Sequence, residues 1–456
     1  MPARLIDSLV TTGVLAELFS DRSVLQAMLD FEVALARAEA SVGVIPKSAA
    51  DGIAASGNAD GFDIASLVRD TLHSATPGVP LAKALTEKVR AKYPEASGFV
   101  HWGATSQDAA DTALVLLLKR AQPILTADLA RLEAALRNLS EQHKDTVMLG
   151  RTLMQAAPPV TFGLKVAGWL GAIYRGSKRL DTAFSDALIV QFGGATGTLA
   201  SLSEKGPAVA RALAKELGLG CPDAPWHTHR DRLASLVSAC GVLTGSLGKM
   251  ARDVSLLMQN EVAEVAEPSS QGRGGSSTMP HKHNPVGCAV TLAATHRVPG
   301  EVAAFLSAMV QEHERSVGGW QTEWPIVASV VQSTGLAVAS MAEVAEGLLV
   351  DPACMRAHIE QTKGVIFAER AMILLGSSLG RDVAHKLVEE ATRKSISQGR
   401  SLSQVLAEMP DVTSRLDALA LRQLEIPEQY LGAAEMFRQS LLSSSQKAKT
   451  PNNKEQ

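Results

Sequence analysis

Cysteine is scarce. The 456 residues hold four, Cys221, Cys240, Cys288 and Cys354, and none share a CxxC spacing. A chain of this length is not held together by so few unpatterned thiols, and a reducing compartment is expected. Aromatic residues make up only 4% of the chain, while alanine and leucine abound. That balance disfavours sheets and favours packed helices. Neither sign of charge dominates: 44 basic residues meet 47 acidic ones, for a formal net charge of −3. Nucleic acid and anionic membrane are therefore not expected as partners. The longest apolar runs, such as Ala113–Leu118, are far too short to span a bilayer. The opening MPARLIDSLV lacks the basic and apolar regions of a signal peptide, which makes the cytoplasm the expected location.

Several chemical signatures are missing too. There is no GxxxxGK[ST] loop, no HExxH, no Cys/His cluster and no GxSxG elbow. Neither a metal nor an organic cofactor is expected. The glycines of GGATG, residues 193–197, lack the GxGxxG order and read as a turn between helices. The HxH pairs His227/His229 and His281/His283 read as anion-binding or capping residues.

What is present is long-range helical patterning in a soluble, two- or three-domain chain. Residues 1–107 read as short helices joined by turns, with Leu25, Met28, Phe31, Leu35 and Ala38 at helical spacing. Residues 108–350 read as a central bundle of about five long helices. Its clearest stripe is Leu233, Leu236, Cys240, Leu243, Leu247, Met250, Val254 and Leu257, a heptad seam. Glu261 and Glu264 continue the same stripe, so the helix is expected to run from His229 to Ala266. A second seam is Leu125, Leu129, Leu132, Leu136 and Leu139, and a third runs from Phe162 to Phe184. Helices over Val286–His313 and Thr334–Leu349 complete the set, the first kinked at Pro299–Gly300. A single bundle cannot bury so many stripes, so the chain is expected to pack against copies of itself. A smaller helical region follows over residues 351–442, then a polar tail, 443–456.

Three stretches combine hydroxyls, amides and imidazoles with glycine or proline. In HWGATSQD, His101–Asp108, Thr105, Ser106 and Gln107 sit at the start of a helix, with Ser106 or Asp108 as its cap. A donor-rich helix N-terminus is a natural carboxylate site. In GRTLMQAAPPVTFG, Gly150–Gly163, Gln155 is the one polar side chain of LMQAAPPV on the approach to a helix. In SSQGRGGSSTMPHKHNPVGC, Ser269–Cys288, glycines free the backbone around Ser276, Ser277, Met279, Lys282 and Asn284. A loop carrying a hydroxyl, an ammonium and an amide looks like a lid that works on an anion.

In this order, TSQD, GRTxxQxxPxxTFG and GSSTMPHKHNP resemble the three signature regions of the fumarase/aspartase superfamily, over nearly the whole chain. The resemblance implies an all-α fold, three domains and a homotetramer. The central helices of four copies form a twenty-helix core, and each active site is shared between subunits. It implies that Ser276 exchanges a proton at the carbon beside a carboxylate, and that Lys282 and Asn284 hold the resulting aci-carboxylate dianion. Two positions depart from the pattern. Leu153 stands where many relatives carry a histidine after GRT, and Ala289 stands where fumarase-like members carry the paired glutamate. That pair serves leaving hydroxyls and amines. A carboxylate, with a pKa of about 4, needs no such help. The expected substrate is therefore a small tricarboxylate in which one carboxylate adds to a double bond and closes a lactone. His73, His101 and Arg315, with Thr105, Ser106 and Gln107, are its expected carboxylate partners. A fumarate-releasing lyase and a catalytically silent structural homologue are the alternatives.

Overall fold

The computed structural model describes residues 5–269, 274–275, 278–279 and 282–445. Its dominant elements are five long helices, Ser106–Gln142, Phe162–Ala187, Asp231–Leu257, Val286–Ala308 and Gly319–Gly347. All eight residues of the clearest seam are buried, at 5% exposure or less. Leu125, Leu129, Leu132, Leu136 and Leu139 are buried as well. Two of the five, Asp231–Leu257 and Gly319–Gly347, are long and apolar enough to cross a membrane, yet more than half of each apolar window is buried inside the protein.

Some boundaries differ from the sequence expectation. The 231–257 helix stops nine residues short of Ala266. Ala263 takes a left-handed backbone (φ 46°), and the Glu264 N–H returns to the Leu257 carbonyl at 2.9 Å. The turn carries Glu264 inward, where it is fully buried. The Val286–Ala308 helix ends before His313 and continues through Pro299, and the last long helix begins at Gly319, well before Thr334. The GRT stretch is not a helix approach but an antiparallel hairpin, Val147–Thr152 against Gln155–Thr161. Its close pairing uses Gly150, where a Cβ would meet the Pro158 carbonyl at 2.2 Å. Its two-residue turn is Leu153–Met154, both at positive φ (49° and 66°). That is the geometry of the tight hairpin turn usually given to Asn-Gly.

The chain groups into two compact units, each assembled from separate stretches. The first comprises residues 1–130, 175–249 and 289–341. Its core is built on the Asp21–Ser41 helix, whose Leu25, Met28, Phe31 and Leu35 pack with Leu81, Leu85, Phe192 and Leu213. The second comprises residues 131–174, 250–288 and 342–456. In its core the hairpin's Val147 and Leu149 join Ile359, Phe367, Leu375, Val388 and Leu406 of the C-terminal helices.

Candidate active site

In the first unit, the TSQD segment is held by Asp108. This buried carboxylate accepts from the Thr105 N–H (3.1 Å), closing the N-terminus of the 106–142 helix from inside its first turn. It also accepts from the N–H groups of Gly193 (3.1 Å) and Gly194 (2.9 Å) and from His227 Nε2 (2.7 Å). One side chain thus ties HWGATSQD to the GGATG turn and to the WHTH segment. His227 is consumed in this buried pair and is neither a cap nor an open anion site. The two turns touch directly: Gly194 has φ 66°, and a Cβ there would meet the Gly103 carbonyl at 2.9 Å.

One layer deeper, Arg230 is fully buried between two carboxylates. It donates to both oxygens of Asp111 (2.8 and 3.0 Å) and to Glu323 (2.6 Å at the shortest). Trp320 Nε1 and Gln107 Nε2 also donate to Asp111, and Gln311 to Glu323. Two charges of one sign around one of the other are tolerable in the interior only with this degree of hydrogen bonding. The network forms a rigid floor beneath the start of the 106–142 helix.

Thr105 and Arg315, picked out separately in the sequence, come together. Arg315 donates to Thr105 Oγ1 (2.9 Å) and to the carbonyls of Gly194 (3.1 Å) and Ala195 (2.8 Å). Ser106 begins the helix beside them. Gln107 points the other way. It is buried, and its amide donates to Asp111 and to the His227 carbonyl (2.8 Å). His101, at φ 57°, sets its Nδ1 2.6 Å from Glu32 Oε1. His73 is exposed near the end of the Ile64–Ser74 helix, in a groove with Asp70 and Lys83.

In the second unit, Met279, Lys282 and Asn284 line one cleft of about 620 Å³ together with Asn260, Val265 and Asp351. The Lys282 N–H donates to the Met279 carbonyl (3.0 Å) and the Asn284 N–H to the Gly274 carbonyl (2.9 Å). Glu267 holds the far end of the stretch: its two oxygens accept from the N–H groups of Gly287 (2.9 Å) and Cys288 (2.8 Å), at the N-terminus of the 286–308 helix. Nothing in the sequence singled out Glu267. Ser276 and Ser277 lie outside the described residues.

Gln155 is exposed as the first residue of the hairpin's second strand. The hairpin is anchored by Arg151, which grips Glu264 through two bonds (3.0 and 2.7 Å), while His358 Nδ1 meets the same carboxylate at 2.7 Å. Glu264 is therefore the anchor of the GRT motif, not a continuation of the helical stripe. Leu153, at the hairpin tip, is 97% exposed.

Residues 9–300 match the family model described as lyase, and residues 364–440 match that described as the adenylosuccinate lyase C-terminus. The chain is 45% identical over 440 residues to the 3-carboxy-cis,cis-muconate cycloisomerase of Bradyrhizobium diazoefficiens, an alignment that covers 96% of this chain and 98% of that one. It is 47% identical over 431 residues to the enzyme of the same name from Pseudomonas aeruginosa, with 94% of each covered. The crystal structure of the 3-carboxy-cis,cis-muconate lactonizing enzyme from Pseudomonas putida superposes with a TM-score of 0.93 at 44% identity, over 98% of this chain and all of that one.

Proposed function

The chain belongs to the fumarase/aspartase superfamily of lyases, and on that premise we propose that it is a cycloisomerase that lactonises 3-carboxy-cis,cis-muconate. The observation that carries this reading is the double absence at Leu153 and Ala289 in a chain whose other motif positions are filled. With no His–Glu relay, the group that adds or leaves must be stable as an anion, and a carboxylate is. Its relatives by name and near-complete alignment act on that substrate.

The reaction needs no redox partner and loses no atoms. A carboxylate oxygen bonds to the alkene carbon β to a second carboxylate. The displaced electron pair moves into that carboxylate as an aci dianion. Ser276 then delivers a proton to the α carbon. Lys282 and Asn284 meet the dianion, because a carbon acid beside a carboxylate is accessible only when preorganised donors receive the extra charge. His101, Arg315, Thr105 and Ser106 bind carboxylates, with Ser277, Met279, Gln155 and His73 completing the contacts, while the buried Gln107 braces the floor beneath them. The active enzyme is a cytoplasmic homotetramer whose sites draw on several subunits, a reading supported by the exposed apolar tip Leu153–Met154 and by Val242 at 51% exposure on a long helix. The activity belongs to the breakdown of protocatechuate.

Mixing the protein with 3-carboxy-cis,cis-muconate should bleach the diene absorbance, whereas adenylosuccinate should release no fumarate. Turnover of adenylosuccinate alone would replace this reading with a fumarate-releasing lyase. Neither reaction, from a correctly assembled protein, would support the silent homologue. A second expectation follows from the missing relay. Leu153→His should leave kcat on 3-carboxymuconate no higher than wild type, since there is no leaving group to protonate. A faster variant would mean that proton transfer to the migrating group limits the reaction.

A further inference from the structure

We propose that Glu32 is a positioning residue for this reaction, holding the His101 ring by Nδ1 so that Nε2 faces a substrate carboxylate. The inference rests on the carboxylate-binding role of His101 given above. Glu32 sits on the inner side of the 21–41 helix at 2% exposure, between Phe31 and Leu35 in sequence. A charge in such a place is retained only with a partner, and the described partner is His101 Nδ1 at 2.6 Å. His101 reaches it from a left-handed backbone that costs roughly 1–3 kcal/mol in a residue with a Cβ, and such strain persists only where surrounding contacts enforce it. With Nδ1 taken, Nε2 is the one ring nitrogen left for a ligand. The side chain keeps 18% of its surface exposed.

A second buried carboxylate fixes the charge of this pair. Glu39 lies two helical turns along from Glu32 and is 0% exposed; neither of its oxygens has a hydrogen-bond partner among the described residues. Burial first, and the Glu32 charge second, push its carboxyl up to about 9. Glu39 is therefore neutral at physiological pH. The charged groups facing His101 are Glu32 and, from the 106–142 helix, Asp108, itself paired with His227. Burial alone would lower the imidazole's pKa. The Glu32 charge and hydrogen bond, with the Asp108 charge, outweigh it and raise the pKa, so the ring stays cationic to higher pH than a free histidine.

The test is the pH profile of kcat/KM on 3-carboxymuconate for wild type, Glu32→Gln and Glu32→Asp, with circular dichroism to confirm folding. A raised imidazole pKa holds the cation up to the folded value, so activity is lost as pH rises through it. Glu32→Gln keeps the shape but removes the charge. Its alkaline limb should move to lower pH, with KM rising more than kcat falls. Glu32→Asp should bring the limb part of the way back. In a His101→Gln background the Glu32→Gln change should add no further shift. An unmoved limb in an active Glu32→Gln enzyme, or an equal effect of the change without His101, overturns the proposal. Wild type inactive on 3-carboxymuconate would instead strike the functional reading. The pair is then decided by thermal stabilisation with tricarballylate across pH, where Glu32→Gln should lose the alkaline part of the response and an unchanged response overturns the proposal.

Discussion

Replacing Ser276 with alanine is expected to lower kcat on 3-carboxymuconate by roughly 10³- to 10⁴-fold, the upper end of what a positioned acid/base group supplies. The argument starts from the half-reaction that is hardest. After ring closure the aci dianion must be protonated at carbon, and water does this slowly and without facial preference. A hydroxyl delivering the proton must tolerate an alkoxide once it is gone. Only donors fixed nearby in a site closed to water allow that. The flanks of Ser276 supply the means to fix such a site. The Asn284 N–H is tied to the Gly274 carbonyl, and Glu267 clamps the two N–H groups that begin the following helix. Alanine removes the proposed proton carrier and leaves the groups that make those bonds in place, so helical content and assembly mass should match wild type. The check is the rate of diene loss at saturating substrate. Turnover within tenfold of wild type would take the proton-transfer role away from Ser276.

The parts of this molecule that could be read in its sequence are those set by short-range periodicity. The seam from Leu233 to Leu257 is buried as its 3-4 spacing demands. The same logic misplaced the end of that helix, because Glu261 and Glu264 keep the spacing while a left-handed Ala263 breaks the backbone. The hairpin at 147–161 was hidden for a related reason. Two prolines and a Leu-Met turn carry none of the usual strand and turn signals, and its closeness is visible only where Gly150 meets Pro158. Pairings across long separations were beyond reach: Glu264 with Arg151 and His358, Glu32 with His101, Asp108 with His227. Each is a buried acid meeting a base at least 69 residues away. The usable signal was weaker: an acid such as Glu32 on a largely apolar helix face requires a partner or must be held neutral.

Lys282→Met should be the second most damaging change, lowering kcat by roughly 10²- to 10³-fold, the cost of removing one preorganised donor from a developing anion. Methionine keeps the length and apolar stem of lysine, so the loss isolates the ammonium. Lys282 lines the cleft with Asn284 and Met279, and its N–H is bonded to the Met279 carbonyl, which fixes the base of the side chain. Asp351 also lines the cleft, so without the ammonium the local charge turns against a polyanionic substrate. Two effects must then be separated. If Lys282 merely attracts the substrate, KM rises and kcat is kept, because ground state and transition state lose equally. If it meets the dianion, kcat and kcat/KM fall together. Lys282→Arg restores charge but not shape. A flat, forked guanidinium does not place a single point charge where the ammonium sat, so it should recover substrate affinity before it recovers kcat. Saturation curves for the three enzymes decide the matter, and a kcat preserved in Lys282→Met would move the stabilising charge to another residue.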